Sequence, residues 1–403
     1  MVSIRSEIEK AMADILRYWC DKTPDHVQGG FIGRIDETEK ADPVAPKGAV
    51  LNARILWTFS AAFEGTGLPT YKTMADRAYS YIIKHFVDQE FGGVYWTVTA
   101  VGKPSDTKKQ IYALSFMIYG LAAYYKITKA QPALETAVKL FKVIEKYSYD
   151  KQYGGYFEAF NRDWTNASDL RLSEKDANEK KTMNTHLHIL EAYTTLYSVY
   201  PDELLKIQIR GLLNCFDQYI IDPETKHLKL FMNEAWKASG DEISYGHDIE
   251  ASWLLLEAAE TIKDEALILR FKSIAISLAT AASEGLEADG SIIYEYIPAK
   301  GLIIKEKHWW VQAEALVGFL NVWQITGQQK YFDHFSNCWT FIDQHLIDKK
   351  EGEWFWGVES DGTVMKDQDK AGLWKCPYHN TRACIEVLKR LSVTAGTAMP
   401  VVS

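Results

Sequence analysis

Nowhere in the 403 residues do about 18 apolar residues run together. The first helix-like stretch, Ile4-Arg5-Ser6-Glu7-Ile8-Glu9-Lys10, is broken by charge where a signal peptide would need an apolar core. A cytoplasmic protein with no membrane contact is therefore expected. Basic runs are equally scarce. None exceeds the Glu179-Lys180-Lys181 neighbourhood, and the net charge of −9 is spread along the chain, so nucleic acid finds no electrostatic footprint. The five cysteines, Cys20, Cys215, Cys338, Cys376 and Cys384, are odd in number and lack CxxC spacing, which argues against a disulfide framework and a zinc knuckle. A GxGxxG, a P-loop and an HExxH are also missing, so neither a cofactor nor a metal is expected.

What the chain does have is enough apolar sequence for a large core, with 47% hydrophobic and 25% charged residues. Its one excess is aromatic, 13 Trp and 22 Tyr. Such rings fill cores, and they also stack on the apolar faces of pyranoses. Glycine–aromatic clusters recur at Gly29-Gly30-Phe31, Gly92-Gly93-Val94-Tyr95-Trp96, Gly154-Gly155-Tyr156-Phe157 and Gly352-Glu353-Trp354-Phe355-Trp356, with weaker echoes at Leu230-Phe231 and Gly290-Ser291-Ile292-Ile293-Tyr294. A spacing of about 60 residues, once about 75, signals a repeat architecture. Asp88, Asp150, Asp222 and Asp348 stand just upstream of clusters, and strand-like residues follow, which predicts a turn and a small hairpin.

Between clusters, amphipathic periodicity predicts helices near 4–20, 50–65, 70–87, 112–127, 131–147, 182–199, 202–220, 246–262, 265–284, 309–326, 330–346 and 377–391. Six pairs of helices suit an all-α (α/α)6 barrel, a toroid with even-numbered helices inside, odd-numbered ones outside, and short β-hairpins at one end. An open solenoid would satisfy the same local pattern. One catalytic domain is expected over 1–391, followed by a loosely ordered tail over 392–403.

The polar residues choose between ring and solenoid. Inner helices of a closed ring should be apolar nearly all round, so ionisable groups at their starts need a reason. Arg54, Tyr112, Asn184 with His188, His247 with Glu250, Trp309 with Trp310, and His379 all fall in the opening turns of the even-numbered helices. Asn184 and His188 are i,i+4 and His247 and Glu250 i,i+3, so each pair shares a face, whereas His186 and Asp248 point elsewhere. A closed ring brings all six sets around one funnel. A buried ion pair is the plainer reading of Arg54 and Glu250.

Asn184-Thr185-His186-Leu187-His188-Ile189-Leu190-Glu191-Ala192-Tyr193, Gly246-His247-Asp248-Ile249-Glu250-Ala251, Lys307-His308-Trp309-Trp310-Val311-Gln312-Ala313-Glu314 and Trp374-Lys375-Cys376-Pro377-Tyr378-His379 resemble segments of the cellobiose 2-epimerase branch of the N-acylglucosamine 2-epimerase superfamily. They come in the same order, and the resemblance runs from about Gly29 to Leu391. The Trp309-Trp310-Val311-Gln312-Ala313-Glu314 form, with Gln312, resembles the cellobiose branch; N-acylglucosamine 2-epimerases and mannose isomerases tend to have Pro after the two tryptophans. The resemblance implies an isomerase that inverts C2 of the reducing-end glucose of β-1,4-linked disaccharides. It implies Arg54, His188, His247, Glu250 and His379 as catalytic, and Tyr112, Asn184, Trp309, Trp310, Trp374 and Arg382 as substrate-binding.

Inverting C2 of an aldose without a redox cofactor means opening the ring, removing the C2 proton beside the aldehyde and returning a proton to the other face. Two bases are needed, and histidine suits both because its pKa lies near working pH. His247 and His379 are expected to be that pair, in either order. Arg54 and His188 would stabilise the cis-enediolate, and Glu250 would orient His247. The rivals are a glycoside hydrolase using Glu250 and Glu314, a zinc hydrolase using His188, His247 and Glu250, and a non-catalytic oligosaccharide binder. A small oligosaccharide is the one partner expected, with the chain a monomer or weak homo-oligomer.

Overall fold

A computed structural model describes residues 2–396. Among them are twelve α-helices: α1 (Val2–Lys22), α2 (Ala49–Thr66), α3 (Pro69–His85), α4 (Ile111–Thr128), α5 (Gln131–Tyr147), α6 (Met183–Val199), α7 (Glu203–Cys215), α8 (Tyr245–Thr261), α9 (Glu265–Ala282), α10 (Trp309–Thr326), α11 (Gln329–Phe341) and α12 (Tyr378–Gly396). A π-helical turn extends α7 over Phe216–Ile220 and α11 over Ile342–Leu346.

Helix starts follow local chemistry. Asp202, Asp264 and Thr182 accept the backbone N–H groups of Leu205, Leu267 and Thr185 at the heads of α7, α9 and α6. Proline occupies the first turn of α3 and α5, where its missing N–H costs nothing.

Burial sorts the helices into two rings. On α5, Ala133, Ala137, Leu140, Phe141 and Ile144 form a stripe, as an outer helix requires. On α4, every residue from Ile111 to Tyr124 is buried, as an inner one requires. The inner contacts run α2 to α4, α4 to α6, α6 to α8, α8 to α10, α10 to α12, and α12 back to α2, so the ring closes and the solenoid is excluded. The outer helix α9 is the one described helix long and apolar enough to cross a bilayer, and it packs its buried face on α8.

The sixth helical pair joins the two ends of the chain. α1 packs on α12, and the backbone of Ile35, which follows α1, pairs with Ala371, which precedes α12. The same staple holds other pairs. Lys47-Gly48 before α2 pairs with Thr97-Val98 after α3, and Lys181-Thr182 before α6 pairs with Phe231-Met232 after α7. The expected hairpins are present, as at Phe231-Met232 with Ala238-Ser239, but their strands also bind across a whole helical pair. Alternation within a few residues could signal only the local half.

The chain departs from expectation at its end. Helix α12 continues five residues past the expected limit at 391, so the tail does not begin at 392; the rest of that expected tail, 397–403, lies outside the described residues.

The first three glycine–aromatic turns each house a buried ion pair. At Gly92 and Gly93 the backbone is left-handed, with φ of 74° and 71°. Asp88 Oδ1 accepts the N–H groups of Glu90 and Phe91, while Oδ2 takes Lys109 Nζ at 2.7 Å, both side chains fully buried. Asp25 with Lys47 and Asp150 with Lys181 repeat the arrangement. These lysines stand immediately before inner helices and tie each turn to the funnel rim. Asp88→Asn keeps the turn's acceptor but strands the Lys109 ammonium. The expected loss is about 3–5 kcal/mol, read as a lower urea midpoint. A midpoint equal to that of the wild type would show that the rings of Tyr95 and Trp164 around Lys109 suffice to hold its ammonium.

Candidate active site

The N-terminal turns of all six inner helices meet at one end of the ring, and the residues singled out in the sequence lie there. Helix N-termini carry partial positive charge, so six of them favour an anion at this mouth. On α2, the Arg54 guanidinium donates to the Tyr112 hydroxyl at 2.8 Å and lies over the rings of Phe116 and Tyr378 at 4.2 and 4.7 Å. Its partner is thus a phenol, and the buried Arg54–Glu250 ion pair is not formed. Burial opposes the charge on Arg54, but Tyr112, Cys376 and Tyr378 around it hold its pKa above the ordinary value.

His188, on α6, has its Nδ1 2.9 Å from Glu191 Oε2, one turn along the same helix, and its ring stands edge-on to Tyr112. Asn184 is half-buried, and its Oδ1 has no protein partner. His186 and Asp248 do point elsewhere: His186 bonds Thr182 and Tyr156, and Asp248 bonds His227 and the Leu228 N–H.

His247 and His379 flank Trp310, with ring centroids 4.8 and 5.8 Å from it. His379 Nδ1 is 2.7 Å from Glu314 Oε1. Since that carboxylate also accepts from Arg382 at 2.7 Å, the shared proton sits on His379 Nδ1, and the Nε2 lone pair is left free. His247 has one face open and its Nδ1 2.8 Å from Ser244 Oγ. Burial lowers the pKa of both imidazoles, and the positive charges of Arg54 and Arg382 push His379 down further. In both, burial thus favours the neutral form over the charged one.

Glu250 does not orient His247. It accepts from Arg382 Nη2 at 2.7 Å, and burial beside Glu314 raises its pKa to about 7. A spacing of i,i+3 put the two on one face, but the guanidinium one helix away is the stronger partner. Arg382 is the hub of the floor, bonded to Glu191, Glu250 and Glu314 together.

The tryptophans divide. Trp310 and Trp374 are half-exposed at the mouth, with Trp374 6.1 Å from Tyr112. Trp309, expected to shape the pocket, is buried against Trp356 and under Lys375, and so backs the wall. Sequence reasoning missed Glu191 as the partner of His188, Glu314 as the partner of His379, and Tyr378. The signal for the first was its i,i+3 spacing from His188; Glu314 lies on α10, away from His379, and Tyr378, though next to His379, finds its partner Glu191 on α6, so neither pairing leaves a local trace.

The geometry also weighs the rivals. Glu250 and Glu314 are both buried on one guanidinium, not set across an open cleft as hydrolysis requires. Ligand atoms of Glu250, Glu314 and His379 lie within 4.8 Å of one another. The cation bonded to both carboxylates is Arg382, and neither His188 nor His247 belongs to the cluster. A cavity of about 630 Å³ opens at the C-terminal end of the inner helices, between Trp253, Glu257, Asn321 and Glu386.

Known proteins resemble the chain in sequence and fold. The chain is 50% identical to cellobiose 2-epimerase of Bacteroides fragilis, over 96% of this chain and 98% of that one. It is 39% identical to cellobiose 2-epimerase of Dictyoglomus turgidum, over 96% and 99%. The solved structure of cellobiose 2-epimerase from Bacillus thermoamylovorans superposes with a TM-score of 0.91 at 38% identity, covering 97% of this chain and all of that one. The model of the N-acylglucosamine 2-epimerase (GlcNAc 2-epimerase) family matches residues 30–383, and the chain belongs to that family.

Proposed function

We propose that the chain inverts C2 of the reducing-end glucose of β-1,4-linked disaccharides, taking cellobiose to glucosyl-mannose and lactose to epilactose. The observation that carries this reading is the pair of imidazoles, His247 and His379, which come from different helices and both pack against Trp310. The names of the relatives support the same chemistry.

Trp310 and Trp374 stack on the sugar, and Tyr112 and Asn184 meet its hydroxyls. After ring opening, one neutral imidazole takes the C2 proton, and the other, protonated from solvent, returns a proton to the opposite face of C2. When His379 becomes charged, Glu314 stabilises it through Nδ1–H, as a carboxylate does behind any histidine base. The enediolate oxygens carry the negative charge, and Arg54, His188 and the six helix N-termini face it.

Incubation with cellobiose, lactose, mannose and N-acetylglucosamine, with and without a chelator, tests the reading. New disaccharides with mannose at the reducing end are expected at an unchanged rate in chelator. Turnover of mannose or N-acetylglucosamine alone would move the chain to a different member activity, and loss of turnover in chelator would end the metal-free scheme.

A further inference from the structure

Tyr378 is fully buried at the first position of α12, beside His379, and Arg54, Arg382 and Glu191 all meet it. Its ring has two cations against it, Arg54 at 4.7 Å and Arg382 at 4.3 Å. Its hydroxyl donates to Glu191 Oε1 at 2.5 Å, the carboxylate whose other oxygen holds His188, and accepts from Arg382 Nη1. Trp57 and Phe116 pack edge-on against the ring and fix its plane.

Two guanidiniums repel each other, and a ring quadrupole attracts each of them. The geometry points to Tyr378 as a positioning residue that touches no substrate: it sets Arg54 with its ring and His188 with its hydroxyl, so that both meet the enediolate from fixed places. This rests on the roles proposed for Arg54 and His188. Core packing alone would require the ring but not the hydroxyl, and that difference makes the idea testable. Removing the hydroxyl takes one donor from Glu191 and one acceptor from Arg382, yet leaves the ring between its neighbours.

The experiment compares wild type, Tyr378→Phe and Tyr378→Leu in two ways. With cellobiose, Tyr378→Phe should keep KM within about twofold and lose about tenfold in kcat, since a misplaced group costs most where charge develops. Tyr378→Leu should lose more. In arginine-selective ¹⁵N spectra of the intact protein, the guanidinium signals of Arg382 should shift in Tyr378→Phe, and those of Arg54 should move only when the ring is removed. If Tyr378→Leu does not fold, Tyr378→Phe decides alone. Unchanged kcat with unchanged guanidinium signals in Tyr378→Phe would overturn the inference while leaving the proposed activity standing. If wild type fails on cellobiose, the proposed activity falls, and the spectra still decide whether Tyr378 holds the two arginines.

Discussion

The substitution His379→Ala is expected to lower kcat for epimerisation by about 10²–10⁴-fold, the range a positioned acid–base group supplies. The fold should survive, because Glu314 keeps Arg382 and Trp253 as partners once the imidazole is gone. His247→Ala should behave alike, since the proposed scheme assigns one face of the enediolate to each histidine. Turnover in D₂O gives the finer reading: the 2-epimer should carry deuterium at C2, taken from solvent through the returning imidazole. A one-base isomerase would instead return the proton to C1 on the face it came from, and ketose formation would survive loss of one histidine. Full epimerase activity in either variant removes that histidine from the scheme, and an epimer that retains its original C2 hydrogen removes the two-base route.

The largest loss of stability is expected from Arg382→Met. The guanidinium is bonded to Glu191, Glu250 and Glu314, and all four side chains are buried. Breaking such a cluster from the cationic side costs about 3–5 kcal/mol, because carboxylates are left without a counter-charge. The pH dependence identifies the cause. Without the cation, the folded-state pKa values of these carboxyls rise above their unfolded values. Their stability contribution is then present at low pH, where they are protonated, and is lost as pH rises through the raised values. The deficit in urea midpoint relative to wild type should therefore be larger at pH 8 than at pH 5. An equal deficit at both values would mean that lost packing against Trp253, not stranded charge, carries the effect.

Much of this was legible in the chain because it depends on local period. The helices showed in amphipathic spacing, and the mouth showed because Arg54, His188, His247 and His379 interrupt runs that are otherwise apolar. What escaped notice depends on contacts between distant segments. Glu314 and His379 are 65 positions apart, and Arg382 and Glu191 are 191 apart. Pairing Glu250 with His247 was a local inference where a non-local partner prevailed. The buried lysines Lys47, Lys109 and Lys181 read as ordinary surface charge until the turns that enclose them are in place.

The joining of α1 to α12 has a consequence for biosynthesis. A chain made from its N-terminus leaves the ribosome with five of its six inner helices before α12, and α1 waits through nearly the whole of synthesis for the helix it covers. The second imidazole, the Arg382 hub and the last segment of the ring arrive together, on one helix. Until then Glu191, Glu250 and Glu314 lack their cation, and the edges of α2 and α10 that α12 will cover stay open. Docking of α12 thus closes the ring and neutralises its buried carboxylates in a single late event, and a nascent chain short of it is the species most in need of a chaperone.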